Sequence, residues 1–130
     1  MRILAVDDSF DWLNIHSYMT KTVFGDDTEI VCASSAFEAL NIFKKEYINN
    51  PFNLVITDLQ MESDFEPLSA GEWLIKEILT LKNSQNILII SSSLNIKQIA
   101  DTYNVDYISK RSIISNEQSY RDKLLNTFVF

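Results

Sequence analysis

Two glycines, two prolines, one cysteine and one histidine are all that this 130-residue sequence offers of the residues that most often build phosphate loops, kinked linkers, disulfides and metal cages. Gly25 and Gly71 lie too far apart to make the glycine-rich turn with which dinucleotide-binding domains cradle a pyrophosphate. Cys32 alone cannot form an internal disulfide, and with only His16 beside it there is no Cys/His set for zinc. The cysteine reads as a small buried hydrophobe. No apolar run approaches the roughly 18 to 20 residues that a membrane span needs. Met1-Arg2-Ile3-Leu4 leads straight into a strand pattern rather than a signal peptide, so a cytoplasmic chain without membrane attachment is expected. Basic residues are scarce as well: 11 Lys and Arg against 18 Asp and Glu leave a net charge of −7. That charge opposes binding to a nucleic-acid backbone.

What remains is a globular composition, 46% hydrophobic and 22% charged. The length suits one domain over residues 1–130, with no room for a separate output domain. Short continuous apolar runs at Ile3 to Val6, Glu29 to Ala33, Asn53 to Asp58, Asn86 to Ile90 and Asp106 to Ser109 read as strands covered on both faces. Between them the period changes to helical. Ser9 is a plausible N-cap before a face of Trp12, Ile15, Met19 and Val23, and His16, beside that face, reads as a partly exposed surface residue. Capping boxes open helices at Ser35-Ala-Phe-Glu38, Ser69-Ala-Gly-Glu72 and Ser115-Asn-Glu-Gln118. A short helix carries Ile96, Ile99, Ala100 and Tyr103, and the last helix carries Tyr120, Leu124 and Phe128. The tail from Phe128 to Phe130 either packs on the sheet or forms an exposed docking patch. The order β-α, five times over, predicts an α/β fold: a doubly wound, five-stranded parallel sheet with helices on both faces.

In such sheets chemistry gathers at the carboxyl ends of the strands. Those ends carry Asp7 and Asp8 after the first strand, Asp58 after the third, Ser91 after the fourth and Lys110 after the fifth. Acids brought together raise one another's pKa values unless a cation joins them, and hard oxygen ligands select Mg²⁺ or Mn²⁺. A metal beside an ammonium is a site for phosphoryl oxygens, and a carboxylate can serve as nucleophile to give an aspartyl phosphate.

This set, in Leu4-Ala-Val-Asp7-Asp8-Ser, Val55-Ile-Thr-Asp58-Leu-Gln-Met61, Ile89-Ile-Ser91-Ser and Tyr107-Ile-Ser-Lys110, resembles the receiver (CheY-like) domain of two-component response regulators over nearly the whole chain. The resemblance implies that Asp58 is the phosphoacceptor. It implies that Asp8 and Asp58 hold Mg²⁺ with the backbone carbonyl of Gln60, while Asp7 binds through water. Ser91 and Lys110 would hold phosphoryl oxygens, and Ser91 with Tyr107 would form the switch pair. The implied phosphodonor is a sensor histidine kinase or a histidine phosphotransfer protein, and the implied output is a surface that binds a downstream protein target. Such a protein accepts a phosphoryl group and does not turn over an external substrate.

Some positions depart from the pattern. Glu62 and Arg111 stand where many receivers have proline, and Gly71 lies farther beyond Asp58 than is usual. The intervening stretch from Leu59 to Leu68 reads as a long acidic loop, and its inserted segment Glu62 to Leu68, with the acids Glu62, Asp64 and Glu66, is expected to govern access to the site. Met61 reads as an anchor of that loop on the core. These departures keep open a receiver fold used as a phosphorylation-independent protein-binding adaptor. A phosphatase with a nucleophilic aspartate at a strand end would need a second acid two residues on, where this chain has Gln60.

Overall fold

The computed structural model describes residues 1–61 and 69–128. The acidic stretch with Glu62, Asp64 and Glu66, and the tail residues Val129 and Phe130, lie outside the described residues. Five strands, β1 (Arg2–Val6), β2 (Glu29–Ala33), β3 (Leu54–Thr57), β4 (Ile87–Ser91) and β5 (Asp106–Ser109), alternate with helices α1 (Phe10–Phe24), α2 (Ala36–Glu46), α3 (Ala70–Leu81) and α4 (Ile96–Tyr103). After β5 the chain forms a short helix α5 (Lys110–Ser115) and then α6 (Gln118–Thr127). The sheet is parallel throughout, in the order β2-β1-β3-β4-β5. The predicted α/β doubly wound architecture is therefore the observed one.

Alternation along the strands divides the core. Leu4, Val6, Val55, Ile87 and Ile89 face the cluster beneath α2, α3 and α4. Ile3, Leu54, Ile56, Leu88 and Ile90 face the cluster beneath α1, α5 and α6. Because β1, β3 and β4 are covered on both sides, Ile3 to Val6, Leu54 to Ile56 and Ile87 to Ile90 are apolar at successive positions rather than at every second one. Chain order reverses between β1 and β3, which are hydrogen-bonded neighbours, with Ile3 opposite Leu54 and Val6 opposite Thr57. A crevice opens at such a reversal, at the carboxyl ends of these two strands.

Serine caps fix where helices begin. Ser9, Ser35 and Ser69 accept hydrogen bonds from the backbone N–H groups of Trp12, Glu38 and Glu72. The capping box expected at Ser115 does not form, because Ser115 is the last residue of α5. Instead, Asn116 Oδ1 accepts from Gln118 N at 3.1 Å and Ser119 Oγ donates to Asn116 O at 2.7 Å, making the turn into α6. Met61 is buried in the first cluster, as expected of a loop anchor, and Phe128 is buried in the second. Among the described residues no helix is long and apolar enough to cross a membrane.

Two readings are corrected. Cys32 is exposed, because β2 is an edge strand that is only partly covered. His16 is buried, at 1% exposure, on the inward side of α1 with Leu13, Met19 and Thr20. Its Nδ1 is 2.8 Å from the Tyr120 hydroxyl on α6, a partner too distant in sequence for periodicity to reveal. Thr20, at the same face, satisfies its hydroxyl on the His16 carbonyl at 2.6 Å.

Burial, with a smaller contribution from the positive charge of Lys110, pushes the His16 imidazole down to about 3 from its ordinary 6.5. The unfolded chain takes up a proton near pH 6.5 and the folded chain does not, so stability falls as pH drops through that value, by up to about 1.4 kcal/mol per pH unit. Asp7, whose pKa burial raises from 3.8, acts in the opposite direction as pH falls. We expect urea-unfolding free energies to decline between neutrality and about pH 5, where ordinary carboxylates remain ionised. The decline should flatten in His16→Gln, which keeps a polar partner for Tyr120; an equal slope in both proteins would contradict the burial of a neutral histidine.

Candidate functional site

The ends of β1 and β3 present their acids under backbone control. Asp7 N donates to Ala33 O and Asp58 N donates to Val6 O, both at 3.1 Å, so each residue is held by the neighbouring strand before its side chain leaves the sheet. Asp58 Oδ1 accepts from Leu59 N at 2.6 Å and from Gln60 N at 3.3 Å, while Asp7 Oδ1 accepts from Ser9 N at 2.9 Å. Lys110 opens α5 directly after β5, where Ser109 caps the helix by accepting from Ser112 N at 3.1 Å. Its side chain crosses the crevice and donates to Asp58 Oδ2 at 2.6 Å, with Asp7 Oδ2 2.9 Å from the same Nζ. All three residues are buried.

Burial pushes the Asp7 carboxyl above its ordinary value, against the opposing pull of Lys110 and of the Ser9 N–H. For Lys110 burial works to lower the pKa, but its hydrogen bond to Asp58 and its charge contacts with Asp58 and Asp7 outweigh it and hold the ammonium above the usual lysine value. The result is a tightly held cation between two carboxylates.

The expected residues arrive unevenly. Asp7, Asp58 and Lys110 are in direct contact. Ser91 is buried at the same sheet edge, but its hydroxyl is engaged locally, 3.1 Å from Ser93 Oγ and accepting from Ser93 N at 3.2 Å. Asp8 is exposed, Gln60 meets Asp58 through its backbone N–H, and Tyr107 is half-buried on β5 against the first core cluster. Among the described residues no group of three or more His, Cys, Asp or Glu side chains is arranged as a metal cage. The donor chemistry nevertheless fits a hard dication. Asp7 Oδ2 is buried with charge contact to Lys110 but no aligned hydrogen bond. Three carboxylates, Asp7, Asp8 and Asp58, against the one ammonium of Lys110 leave a negative balance that Mg²⁺ or Mn²⁺ would offset.

Sequence reasoning missed three supports. Arg111, standing where a proline is common, donates to Ser92 O at 3.0 Å and ties the loop after β4 to α5. Trp12 lies over the Lys110 ammonium, 4.9 Å from ring centroid to Nζ. Gly71, noticed only for its displaced position, packs directly on the loop after β3 and donates its N–H to Leu59 O at 2.9 Å. A Cβ there would stand 2.0 Å from Asp58 O and 2.5 Å from Leu59 Cα.

No protein-family model matches the chain, and no curated protein matches it. Solved structures do match. A response regulator receiver domain protein from Clostridium thermocellum is 27% identical, with 95% of this chain and 98% of that one covered at a TM-score of 0.66. The Mn²⁺-bound form of response regulator Rcp1 is 20% identical, with 99% and 97% covered at 0.74. The CheX–CheY complex with BeF₃ and Mg²⁺ from Borrelia burgdorferi is 18% identical, with 92% and 88% covered at 0.68. Over nearly its whole length, then, this chain has the CheY-like receiver fold of response regulators, as its motifs implied.

Two substitutions probe this geometry. Gly71→Ala should destabilise the protein by about 1–3 kcal/mol, because backbone rather than a flexible side chain must yield to the new methyl group. Lys110→Ala leaves Asp7 and Asp58 facing each other without a cation. The loss at neutral pH should lie toward the lower end of the roughly 3–5 kcal/mol seen when one partner of a buried pair is removed. Unpaired carboxyls bind protons more readily when folded than when unfolded, so that loss should shrink as pH falls. Urea unfolding at neutral and mildly acid pH measures both; a Lys110→Ala protein as stable as the parent at neutrality would show that the ammonium carries no such burden.

Proposed function

We propose that this chain is a phosphoacceptor signalling protein of a two-component system, phosphorylated on Asp58. The observation that carries this reading is the buried Lys110 ammonium bridging Asp58 and Asp7 at the reversal point of the sheet. Asp58 is a carboxylate held rigidly by backbone N–H groups and set beside a cation, which is what an oxygen nucleophile toward phosphorus needs. One carboxylate oxygen attacks the phosphorus, the bond from phosphorus to the donor's leaving group breaks, and that group departs with the electron pair. The ammonium of Lys110 is within reach of the arriving phosphoryl oxygens and stabilises the charge they develop. Ser91 supplies a further hydroxyl once it turns from Ser93, and that turn, coupled to Tyr107 one strand away, is the proposed switch.

Asp8 and Asp58, with the Gln60 carbonyl and with Asp7 through water, are the proposed holders of Mg²⁺ or Mn²⁺. When bound, the ion would screen the mutual repulsion of these acids and of the incoming anion. The proposed donor is a sensor histidine kinase or histidine phosphotransfer protein in the cytoplasm. The proposed output is a protein-binding surface altered by the aspartyl phosphate. Catalysis is confined to the chain's own modification, with no external substrate turned over.

Intact-mass measurement with Mg²⁺ and a small acyl phosphate tests the reading. The parent should gain one phosphoryl group, lose the gain when a chelator is added beforehand, and show none as Asp58→Asn. No labelling of the parent would favour an adaptor that acts without phosphate, and equal labelling of Asp58→Asn would remove Asp58 as the acceptor.

A further inference from the structure

Besides the two acids, the Lys110 ammonium meets the first of three neighbouring rings that the phosphoacceptor chemistry does not itself require. Trp12 stands in the first turn of α1, just beyond the acidic pair, with its ring 4.9 Å from the Lys110 ammonium. One helical turn on, the His16 ring is 6.0 Å from Trp12 at a 37° tilt. His16 meets Tyr120 edge-on at 5.7 Å and 74°, and its Nδ1 is hydrogen-bonded to the Tyr120 hydroxyl at 2.8 Å. Tyr120 is fully buried on α6, so the stack is anchored in the core. Trp12 and His16 are four residues apart on one helix face, the spacing at which side chains meet.

We propose that Trp12 is a positioning residue for Lys110: its ring face, braced by His16 and Tyr120, holds the ammonium at the Asp7–Asp58 pair. The inference rests on the reading that this ammonium then receives the phosphoryl group. A lysine is a point charge on a flexible four-carbon stem and does not fix its own direction. An aromatic face attracts the cation without donating a hydrogen bond, so it restrains the stem while leaving every N–H free for oxygen. Burial keeps His16 neutral, so the brace adds no charge that would repel the lysine. Trp12 is half-buried and also lines a groove of about 580 Å³ with Ile15, Tyr18, Met19 and Ile113, so the indole is not sealed in the core.

The test compares Trp12→Leu, which keeps apolar bulk but loses the π face, with Trp12→Phe, which restores a face. In metal-free protein, an amine-acylating reagent followed by peptide mapping reads how well Lys110 is protected. Leu should raise its labelling rate about fivefold, and Phe should restore most of the protection, in line with the loss of an ordinary cation–π contact. With Mg²⁺ and a small acyl phosphate, Leu should slow Asp58 phosphorylation by a similar factor, yet add nothing in a Lys110→Ala background. As a second route that needs no Trp12 variant, Lys110→Ala in a Trp73→Phe background should shift the emission of Trp12, then the sole tryptophan. Unchanged lysine labelling in Trp12→Leu, unchanged emission, or equal slowing with and without Lys110 would each overturn the positioning role. A parent that is never phosphorylated, but whose Lys110 is unmasked in Trp12→Leu, would overturn the phosphoacceptor reading and leave the positioning role standing.

Discussion

A buried ammonium is the constraint around which this molecule is arranged. An isolated lysine charge taken out of water at the sheet edge would lose several kcal/mol of hydration, so it persists only where carboxylates face it with good geometry. Asp7 and Asp58 meet that need because β1 and β3 are adjacent and in register, which places their first residues beyond the sheet side by side. Lys110 reaches them because β5 ends directly in α5. Strand order, register and the β5–α5 junction thus answer to a single electrostatic requirement.

Close packing supplies the precision that charge alone does not. The first turn of α3 sits against the loop after β3, with Gly71 so near the Asp58 carbonyl that no side chain fits between them. The loop is also pinned by Met61 and Leu59, which are buried in the same core cluster as α3. Asp58 therefore has little freedom even where its own side chain faces the crevice. This is the arrangement expected of a reactive group set on rigid elements.

Much of this was legible in the sequence, and the reason is periodicity. Strands buried on both faces stand out as continuous apolar runs, and four of the five strands led into a residue with a chemical handle, so Asp7, Asp58, Ser91 and Lys110 could be placed at one edge before any coordinates. Three of the four serine caps were legible for the same local reason. What periodicity hid was polar burial and exposed softness. His16 looks like a surface residue until its partner, Tyr120, is in place. Cys32 looks like core until β2 proves to be an edge. The cover over Lys110 was hidden because Trp12 and Lys110 are far apart in sequence and meet only through the fold. The short helix α5 was lost because its six residues carry too few apolar positions to show a period.

The parallel sheet also shapes how the molecule must come together in time. None of its strand pairs is a hairpin, and the pairing that creates the crevice joins Ile3 to Leu54 across two complete βα units. Local contacts within α1 or α2 can form early, but the chain must close a long loop before β1 and β3 reward it. The acids of the site belong to that closure, and their lysine arrives only with β5. The crevice is thus assembled from three separate segments of chain, through contacts that are distant in sequence.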